Sequence, residues 1–433
     1  MKFRIYFLLF FTGISCFAQN NDVQTNINYY TEKAQTYLDK EKALSGFYSI
    51  NKDGISMYAS LTDKIKNKAE FFIEWKNVGN FNDLLKRCNP YKAFETYKSG
   101  KYSLVIPCLT PGVGMVDLLY ATPQKIMKGL KIAIDPGHIA YDFEMGDLEK
   151  KHIKMKAGTA TGLLDSMEIA EGMLTYATAQ LLKEKLEKEG AEVFLTRSNG
   201  NTAFGKTYAQ WKKDDLKNAV DSLYKIGELK AGQKQYLLSA KAQDRDIFRI
   251  IFKDLELAKR AELVNYYKPD FTIIIHYNVD ETNKEWEKPG NRDFDMTFVG
   301  GAFMKNDLIN EEKRFEFFRL LISDDLEKSI TLSSFVVSSF EKKLNVPTAS
   351  ITDANYLKEG CLPTKTKGVY CRNLQLTRYI HTPLVYGETL FQDNLNELKS
   401  LNPETDKTKN ERVQQVAEAY FQGILNYVQL NKQ

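Results

Sequence analysis

KIAIDPGH, residues 131 to 138, is a short apolar run that ends in Asp-Pro-Gly-His. Such a run predicts a buried strand whose carboxyl end carries an imidazole to the edge of a sheet. A second run, FTIIIH at residues 271 to 276, also ends on a histidine, and the 433 residues contain only four histidines. Ligands collect at the carboxyl ends of strands in open α/β sheets. Because neutral imidazole is the commonest metal ligand, the two runs predict a metal site, with zinc as the first hypothesis.

The segments around these runs predict the fold class. A helical pattern follows the first run and ends at Gly190, and a strand-like EVFLT comes directly after it. Asp165 and Glu168 have the spacing of a capping box and are expected to open that helix. Strand, helix and strand in succession are typical of parallel units. We therefore expect an α/β fold with a twisted, largely parallel or mixed sheet and helices on both faces.

Residues 1–18 have the composition of a secretory leader. A basic start and a short apolar run are followed by small residues around Ala18, which predicts cleavage after Ala18. The apolar run is too short for a permanent membrane-spanning helix. We expect no transmembrane segment in the mature chain and an exported protein, which is periplasmic, in the cell envelope or secreted. Lipidation at Cys16 is the alternative, and the absence of a leucine three positions earlier disfavours it.

The rest of the chain divides into a small α+β accessory domain, a larger α/β domain and two helical insertions in the latter. The expected ranges are 19–128 for the accessory domain, 129–433 for the α/β domain, and near 199–249 and 281–364 for the insertions. In the accessory domain, the Asp53-Gly54 turn predicts a hairpin, and residues 68–78 and 102–107 predict strands. A late strand at 383–386 and a last helix at 411–428 complete the expected elements.

Charge and cysteine content restrict the compartment and the partners. The net charge of +4 is too mild for nucleic acid, which needs a clustered basic face, and it is compatible with an acidic polymer such as a cell wall. Four cysteines remain after the leader, without the CxxC spacing of a structural zinc. Cys88 with Cys108 and Cys361 with Cys371 are candidate disulfides of an oxidising compartment, and free buried thiols are the alternative.

A catalytic zinc usually has three protein ligands and one open position. His138 and His276 supply two ligands, and Glu168 and Glu171 are both placed to supply a carboxylate. Glu388, at the end of the late strand, is placed to take a proton from the attacking water and return it to a leaving amine. A GxSxG elbow and an HExxH helix are both absent from the sequence. Two strand-end histidines with two carboxylates therefore favour metal-assisted amide hydrolysis.

Four blocks resemble, in order and spacing, the zinc-dependent N-acetylmuramoyl-L-alanine amidases of the amidase 3 family. They are IAIDPGH, EGMLTYATAQLLKEKLEKEGAEVFLTR, RAELVNYYKPDFTIIIHYN and PLVYGETLFQDN. The resemblance covers roughly residue 130 to the C-terminus, with the two insertions outside it. It implies one zinc ion held by His138, Glu171 and His276, with Glu168 as the minority choice. It also implies Glu388 as general base and acid.

Departures from the family pattern concern positions that line the groove near the metal. Ile139-Ala140-Tyr141-Asp142 stands where the family has a glycine pair and an aspartate, and Gly172 replaces a lysine. Ile275 replaces the serine before the second histidine. The departures remove no ligand, but they leave the substrate detail open.

Asn278, Arg378 and His381 are candidate substrate-binding residues. Arg378 is expected to meet a peptide carboxylate, with a surface salt bridge as the alternative. His381 is expected either to bind substrate or to have a structural role. His152, in a lysine-rich loop, is expected at the surface.

The resemblance implies an exported peptidoglycan hydrolase that cuts the amide between N-acetylmuramic acid and L-alanine of the stem peptide. A zinc peptidase acting elsewhere on the stem peptide is one alternative, and a catalytically silent cell-wall-binding or regulatory protein is another. Some amidases of the family are held inactive until a partner binds. We therefore also expect an activating protein partner, with the helical run Phe315–Lys328 as a lid or, alternatively, as an elaboration of the fold.

Overall fold

The computed structural model of the protein describes residues 12–87, 125–159, 161–283, 286 and 288–431. The strands, in chain order, are β1 (Tyr48–Asn51), β2 (Gly54–Met57), β3 (Phe71–Glu74), β4 (Lys131–Pro136), β5 (His152–Met155), β6 (Met167–Ala170), β7 (Glu192–Leu195), β8 (Phe271–Asn278), β9 (Met296–Val299), β10 (Cys361–Pro363), β11 (Val369–Arg372) and β12 (Leu384–Phe391). The α-helices are α1 (Thr12–Lys33), α2 (Leu61–Ile65), α3 (Val78–Arg87), α4 (Phe143–Glu149), α5 (Glu171–Lys188), α6 (Tyr208–Asp214), α7 (Leu216–Lys225), α8 (Ala231–Leu237), α9 (Asp244–Ile247), α10 (Lys253–Tyr267), α11 (Glu311–Ile322), α12 (Asp325–Leu344), α13 (Asn355–Gly360), α14 (Gln375–Tyr379), α15 (Leu395–Leu401) and α16 (Glu411–Leu430).

A mixed sheet of seven strands forms the centre of the fold, in the order β10-β11-β9-β12-β8-β4-β7. One half of the sheet consists of β7, β4, β8 and β12, and these four strands run parallel to one another. Strand β9 is antiparallel to β12, β11 runs parallel to β9, and β10 returns antiparallel. The expected mixed sheet is therefore confirmed.

Helices cover both faces of this sheet. Side chains of β4, β8 and β12 such as Ile134, Ile273 and Val385 pack on one face against helices α5, α12 and α16. The alternate side chains, among them Ala133 and Ile274, pack on the other face against α10 and α14. Because neighbouring residues of a strand point to opposite faces, a nearly continuous apolar sequence is what such doubly covered strands need.

The parallel half of the sheet places the functional candidates at one edge. Strand β4 pairs with β8 up to Pro136 and Ile275, and β8 pairs with β12 so that His276 lies opposite Glu388. The carboxyl ends of these three strands therefore meet at the same edge, where the loop with His138 begins.

Several elements differ from the sequence expectation. The helix starts at Glu171 and not at Asp165, because residues 167–170 pair with β5 as strand β6. Strand β12 continues to Phe391, so Glu388 lies within it. Residues 281–364, expected as a helical insertion, also contribute β9 and β10 to the central sheet. Residues 199–249 are helical, as expected, and their apolar side chains pack with Phe252 and Ile139 in a separate cluster around Trp211.

The hairpin expected at Asp53-Gly54 is confirmed as β1–β2, and β3 lies within the expected strand range 68–78. The strand expected at 102–107 and the pair Cys88–Cys108 lie outside the described residues. The expected cleavage point after Ala18 falls inside α1. None of the described helices is long and apolar enough to cross a bilayer.

The N-terminal elements share a hydrophobic core with helix α11. Phe71 and Phe81 contact the rings of Phe315 and Phe318, and every residue of the helix from Arg314 to Ile322 is buried. The guanidinium of Arg314 donates to both carboxylate oxygens of Glu70, at 2.5 and 2.7 Å. Helix α11 is therefore an internal element and does not have the exposed placement expected of a lid.

Cys361 and Cys371 are free and buried among the described residues. In the β10–β11 register, Cys361 lies opposite Arg372, and Cys371 lies opposite Leu362. Adjacent strand positions alternate between the two faces, so the two thiols lie on opposite sides of the sheet. The disulfide considered for this pair is wrong, and the alternative of free thiols holds.

Candidate active site

The loop after β4 holds His138 in an uncommon backbone conformation. His138 has a φ of +62°, in the left-handed region that non-glycine residues seldom adopt. Arg260 from α10 fixes this turn by donating to the carbonyl oxygens of Pro136 at 2.8 Å and His138 at 2.7 Å. Thr175 from α5 donates to the carbonyl of Gly137 at 2.6 Å. Helices α10 and α5 thus hold the turn that carries the first imidazole.

His276 lies on β8 next to this turn. Its ring stacks on Tyr386, with 4.6 Å between the ring centroids and 3° between the planes. The two imidazole rings lie 4.9 Å apart, nearly perpendicular to each other. A Cβ atom at Gly137 would lie 2.3 Å from the His276 ring, so glycine is required for this approach. The Asp-Pro-Gly-His motif therefore has its glycine for a steric reason.

Glu171, the first residue of α5, joins the two histidines. Its Oε1 lies 3.0 Å from Nδ1 of His276, and its Oε2 lies 3.1 Å from Nε2 of His138. The backbone N–H of Tyr277 donates to Oε1 at 3.1 Å. One atom from each of His138, Glu171 and His276 lies within 4.8 Å of the others, and Nε2 of His138 is buried without a well-aligned hydrogen bond. These converging donors can hold one metal ion.

Glu168 lies apart from the cluster. It belongs to β6, and its carboxylate is 3.8 Å from Nε2 of His152. The geometry therefore brings Glu171, and not Glu168, to the two histidines.

The protonation states of His276 and Glu171 suit a metal site, whereas at His138 burial opposes the charged form but the carboxylate of Glu171 outweighs it and raises the pKa. Burial lowers the pKa of His276 to about 4, which keeps this imidazole neutral at physiological pH. Burial opposes ionisation of Glu171, but His138 and Lys151 outweigh it and hold the pKa of this carboxyl well below its usual range. Neutral imidazole and ionised carboxylate are the forms that bind metals.

Glu388 lies across from His276 in the β8–β12 pairing. Burial, with the negative charge of Glu171, raises the pKa of Glu388 to about 8, against the opposing charges of Lys151, Arg372 and His138. A carboxyl group in this range can both hold and release a proton near neutral pH.

Two residues of the cluster were not recognised from sequence. Glu149, at the end of α4, accepts from the backbone N–H groups of Ile139 and Ala140 at 3.0 and 2.9 Å and lies 3.5 Å from Nδ1 of His138. A carboxylate behind a ligating histidine fixes its tautomer and orientation. Lys151 donates to Oε2 of Glu171 at 2.9 Å. In the sequence, only their closeness to His138 could have pointed to Glu149 and Lys151 as residues of the site.

One departure from the family pattern has a steric explanation. A Cβ atom at Gly172 would lie 2.5 Å from the carbonyl oxygen of Ala140, so the loop after His138 packs directly on the start of α5. A residue larger than glycine at position 172 requires a different path for this loop.

The structure separates the three candidate substrate-binding residues. Asn278 lies two residues after His276 on the same face of β8, and its amide donates to the hydroxyl of Tyr356 at 3.1 Å. Arg378 and His381 precede the amino end of β12, at the edge of the sheet opposite Glu388. His381 is buried there, with Nε2 at 2.8 Å from Glu316. Substrate contact at the metal site does not fit Arg378 or His381.

His152 is also not where the sequence suggested. It is buried, contrary to the expected surface position, because its ring stacks on Phe143 at 4.5 Å and its Nδ1 lies 3.1 Å from Asp147.

Comparison with solved structures gives distant similarities. One is the CwlD amidase from Clostridioides difficile in complex with the GerS lipoprotein, at 16% identity, 70% of this chain, 99% of that chain and a TM-score of 0.38. Another is the N-acetylmuramyl-L-alanine amidase Ami1 from Mycobacterium smegmatis, at 14% identity over 70% of this chain and 99% of that chain, with a TM-score of 0.39. A third is the catalytic domain of the N-acetylmuramoyl-L-alanine amidase CwlV from Bacillus (Paenibacillus) polymyxa var. colistinus, at 13% identity over 69% of this chain and 98% of that chain, with a TM-score of 0.36. No curated protein matches the sequence.

The family comparison is decisive. The family model described as N-acetylmuramoyl-L-alanine amidase, Amidase_3, matches residues 132–426. This range is well over half of the chain, and it contains the two histidines, Glu171 and Glu388. The chain therefore belongs to the Amidase_3 family of N-acetylmuramoyl-L-alanine amidases.

Proposed function

We propose that this family member is an exported, zinc-dependent peptidoglycan hydrolase. It cleaves the amide bond between the lactyl group of N-acetylmuramic acid and L-alanine of the stem peptide. The observation that carries this proposal is the meeting of His138, Glu171 and His276 within 4.8 Å, beside the half-buried Glu388 on the adjacent strand. The leader-like residues 1–18 support export to the compartment where the substrate lies.

The donor set fits zinc. Two imidazole nitrogens and one carboxylate oxygen are a common ligand set of catalytic zinc, which keeps a further position open. A zinc ion held there would polarise the scissile carbonyl and lower the pKa of water. Glu149 supports the set by fixing His138 through the neighbouring backbone N–H groups.

Glu388 carries the proton in this proposal. Its carboxylate takes a proton from the attacking water and then gives it to the departing amine nitrogen, which would otherwise leave as a poor anionic leaving group. The raised pKa supports the second step, because the carboxyl holds a proton near neutral pH. Asn278, on the same face of β8 as His276, is the remaining candidate for substrate contact at this edge.

Analysis of the products by mass spectrometry tests the bond assignment. We expect zinc-loaded protein to release stem peptides with a free N-terminal alanine from purified peptidoglycan. Cleavage at another bond would favour a zinc peptidase. No product from folded, zinc-loaded protein would favour a silent binding protein or an amidase that needs an activating partner.

Substitution of Glu388 tests the proton transfer. We expect Glu388→Gln to lower kcat by about 100- to 10,000-fold, the usual contribution of general acid–base catalysis, while the protein still binds one zinc ion. Glu171→Gln should lose zinc in metal analysis, whereas Glu168→Gln is the matched control and should keep both zinc and activity. A Glu388→Gln variant with wild-type kcat would contradict the assigned role.

A further inference from the structure

Arg372 lies on the same face of the sheet as the candidate active site. Glu388 on β12 is opposite Met296 on β9, and Tyr386 is opposite Phe298. Phe298 is in turn opposite Tyr370 on β11, two residues before Arg372. Since side chains two apart on a strand point to the same face, Arg372, Phe298 and Glu388 share one face.

Aromatic rings hold the guanidinium of Arg372 on this face. Its centre lies 4.8 Å from the ring centroid of Phe298 and 5.0 Å from that of Tyr356. The hydroxyl of Tyr356 accepts from the amide of Asn278 at 3.1 Å, which fixes the ring beside β8. Stacking of this kind orients an arginine and leaves its N–H donors free at the edges of the plane.

The half-buried guanidinium of Arg372 has no carboxylate partner among the described residues. Four other arginines have one: Arg260 pairs with Asp135, Arg314 with Glu70, Arg319 with Glu316 and Arg412 with Glu397. The buried Arg197 and Arg378 have none, but they donate to backbone carbonyls and to Asn373, respectively. The positive charge nevertheless acts on the site, since it opposes the rise in pKa of both Glu388 and Tyr386. A cation with oriented, unused donors near a catalytic carboxyl is suited to an anionic group of the substrate.

We propose that Arg372 binds the free α-carboxylate of the second residue of the stem peptide. This inference rests on the proposed function, because it concerns the peptide on the leaving side of the scissile amide. The second residue is linked onward through its side chain in peptidoglycan, so its α-carboxylate is free. It lies within roughly two residues, about 7 Å, of the bond that is cut. Arg372 thus has the role that the sequence assigned to Arg378, because its guanidinium lies on the active-site face against Phe298 and Tyr356.

A pair of substrates that differ in one group tests this subsite. One is a muramoyl tripeptide with the free α-carboxylate on its second residue, and the other carries an amide in its place. We expect the zinc-loaded wild-type protein to show a KM about tenfold lower for the acid, with similar kcat values, since a charged hydrogen-bonding pair contributes about that factor.

Variants of Arg372 complete the test. Arg372→Gln should raise KM for the acid to the value for the amide, and Arg372→Lys should recover part of the difference. Arg249→Gln, an exposed arginine of the helical segment, is the control and should behave as the wild type. Equal KM values for the two substrates in the wild-type protein would overturn the subsite alone. Absence of cleavage of either substrate would overturn the proposed function, and this inference with it.

Discussion

Close contacts around the two histidines set the geometry of the site. The 2.3 Å separation calculated for a Cβ at Gly137 leaves room only for a hydrogen atom beside the His276 ring. The left-handed conformation of His138 persists because Arg260 and Thr175 hold the carbonyl groups on either side. The donor atoms are therefore positioned by the backbone before any ligand binds, which reduces the ordering cost of metal binding.

Lys151 is expected to weaken metal binding. Burial acts against the charge of Lys151, but Glu171 outweighs it and raises its pKa, so the ammonium stays charged. It lies 2.9 Å from Oε2 of Glu171, where it repels a dication at the cluster. We expect the Lys151→Met variant to bind zinc at least about tenfold more tightly than the wild type. The Kd for zinc is measured by competition with a chromogenic chelator.

Lys154→Met is a suitable control for this experiment, since Lys154 pairs with the exposed Asp147 outside the cluster. Weaker zinc binding in Lys151→Met would contradict the expectation and would show that the ammonium serves to orient Glu171.

The sequence could identify only some residues of the site. His138 and His276 end apolar strands, a pattern visible in the chain itself, and Glu388 follows from a third strand. Glu149, Lys151 and Arg372 act through tertiary contacts that have no local pattern. Arg378 was expected to meet a peptide carboxylate, but it precedes the amino end of β12, away from Glu388.

At the scale of elements, a bulge interrupts β12 between Thr389 and Phe391, shortly after Glu388. The pairing with β8 shifts between Thr389 and Phe391, and Leu390 between them has a φ of +46°. Asp295 accepts from the N–H of Leu390 at 2.9 Å, and Asp293 accepts from that of Phe391 at 2.8 Å. The two aspartates thus hold the strained turn that follows the catalytic strand position.

Asp295 is expected to position Glu388 through this bulge. Burial raises the pKa of Asp295 well above its usual range and so favours the neutral form, and asparagine reproduces its accepting oxygen. We expect Asp295→Ala to lower kcat/KM about tenfold, because small displacements of catalytic groups are costly, with zinc content unchanged. Asp295→Asn should stay close to the wild type. Equal losses in both variants would point to a different role for the aspartate.

Asp293 makes stability depend on pH. Burial raises its pKa to about 7, so the folded state binds a proton more tightly than the unfolded chain does. Its contribution to stability is complete below about pH 4 and is lost as the pH rises through about 7. Urea unfolding at a series of pH values should show a smaller decline from pH 4 to 7 for Asp293→Asn than for the wild type. Asp53→Asn, in an exposed turn, is the control and should follow the wild-type curve.

Element boundaries show where sequence patterns reach their limit. The capping-box spacing of Asp165 and Glu168 is real, yet residues 167–170 pair with β5 and the helix begins at Glu171. Strand β9, only four residues long, lies within a range that is mostly helical. Its place between β11 and β12 depends on pairing partners about 70 to 90 residues away, which no local window contains.

At the scale of the whole molecule, the N-terminal strands and the central sheet are connected through α11. Phe315 contacts Phe71 and Phe81 on one side, and Arg319 of the same helix donates to the carbonyl of Arg378 at 2.9 Å on the other. Buried Lys33 donates to Ser323 and Glu327 after the helix. These contacts indicate that the N-terminal elements and the catalytic region depend on each other for stability.

Truncation of Phe315 tests this dependence. We expect Phe315→Ala to lower the free energy of unfolding by about 3 to 5 kcal/mol, as for other buried phenylalanines. The loss should appear in one transition, monitored both by far-UV circular dichroism and by tryptophan fluorescence. A separate early transition with a stable remainder would show instead that the N-terminal elements unfold independently.

The ion pair between Glu70 and Arg314 joins positions 244 residues apart. At about 5 to 20 residues per second, a ribosome needs roughly 12 to 50 seconds to cover that distance. During this interval the strands around Glu70 have been made, but the helix that covers them does not yet exist. The segment around Glu70 is thus made before the helix that completes its core, and until then its apolar side chains lack this cover.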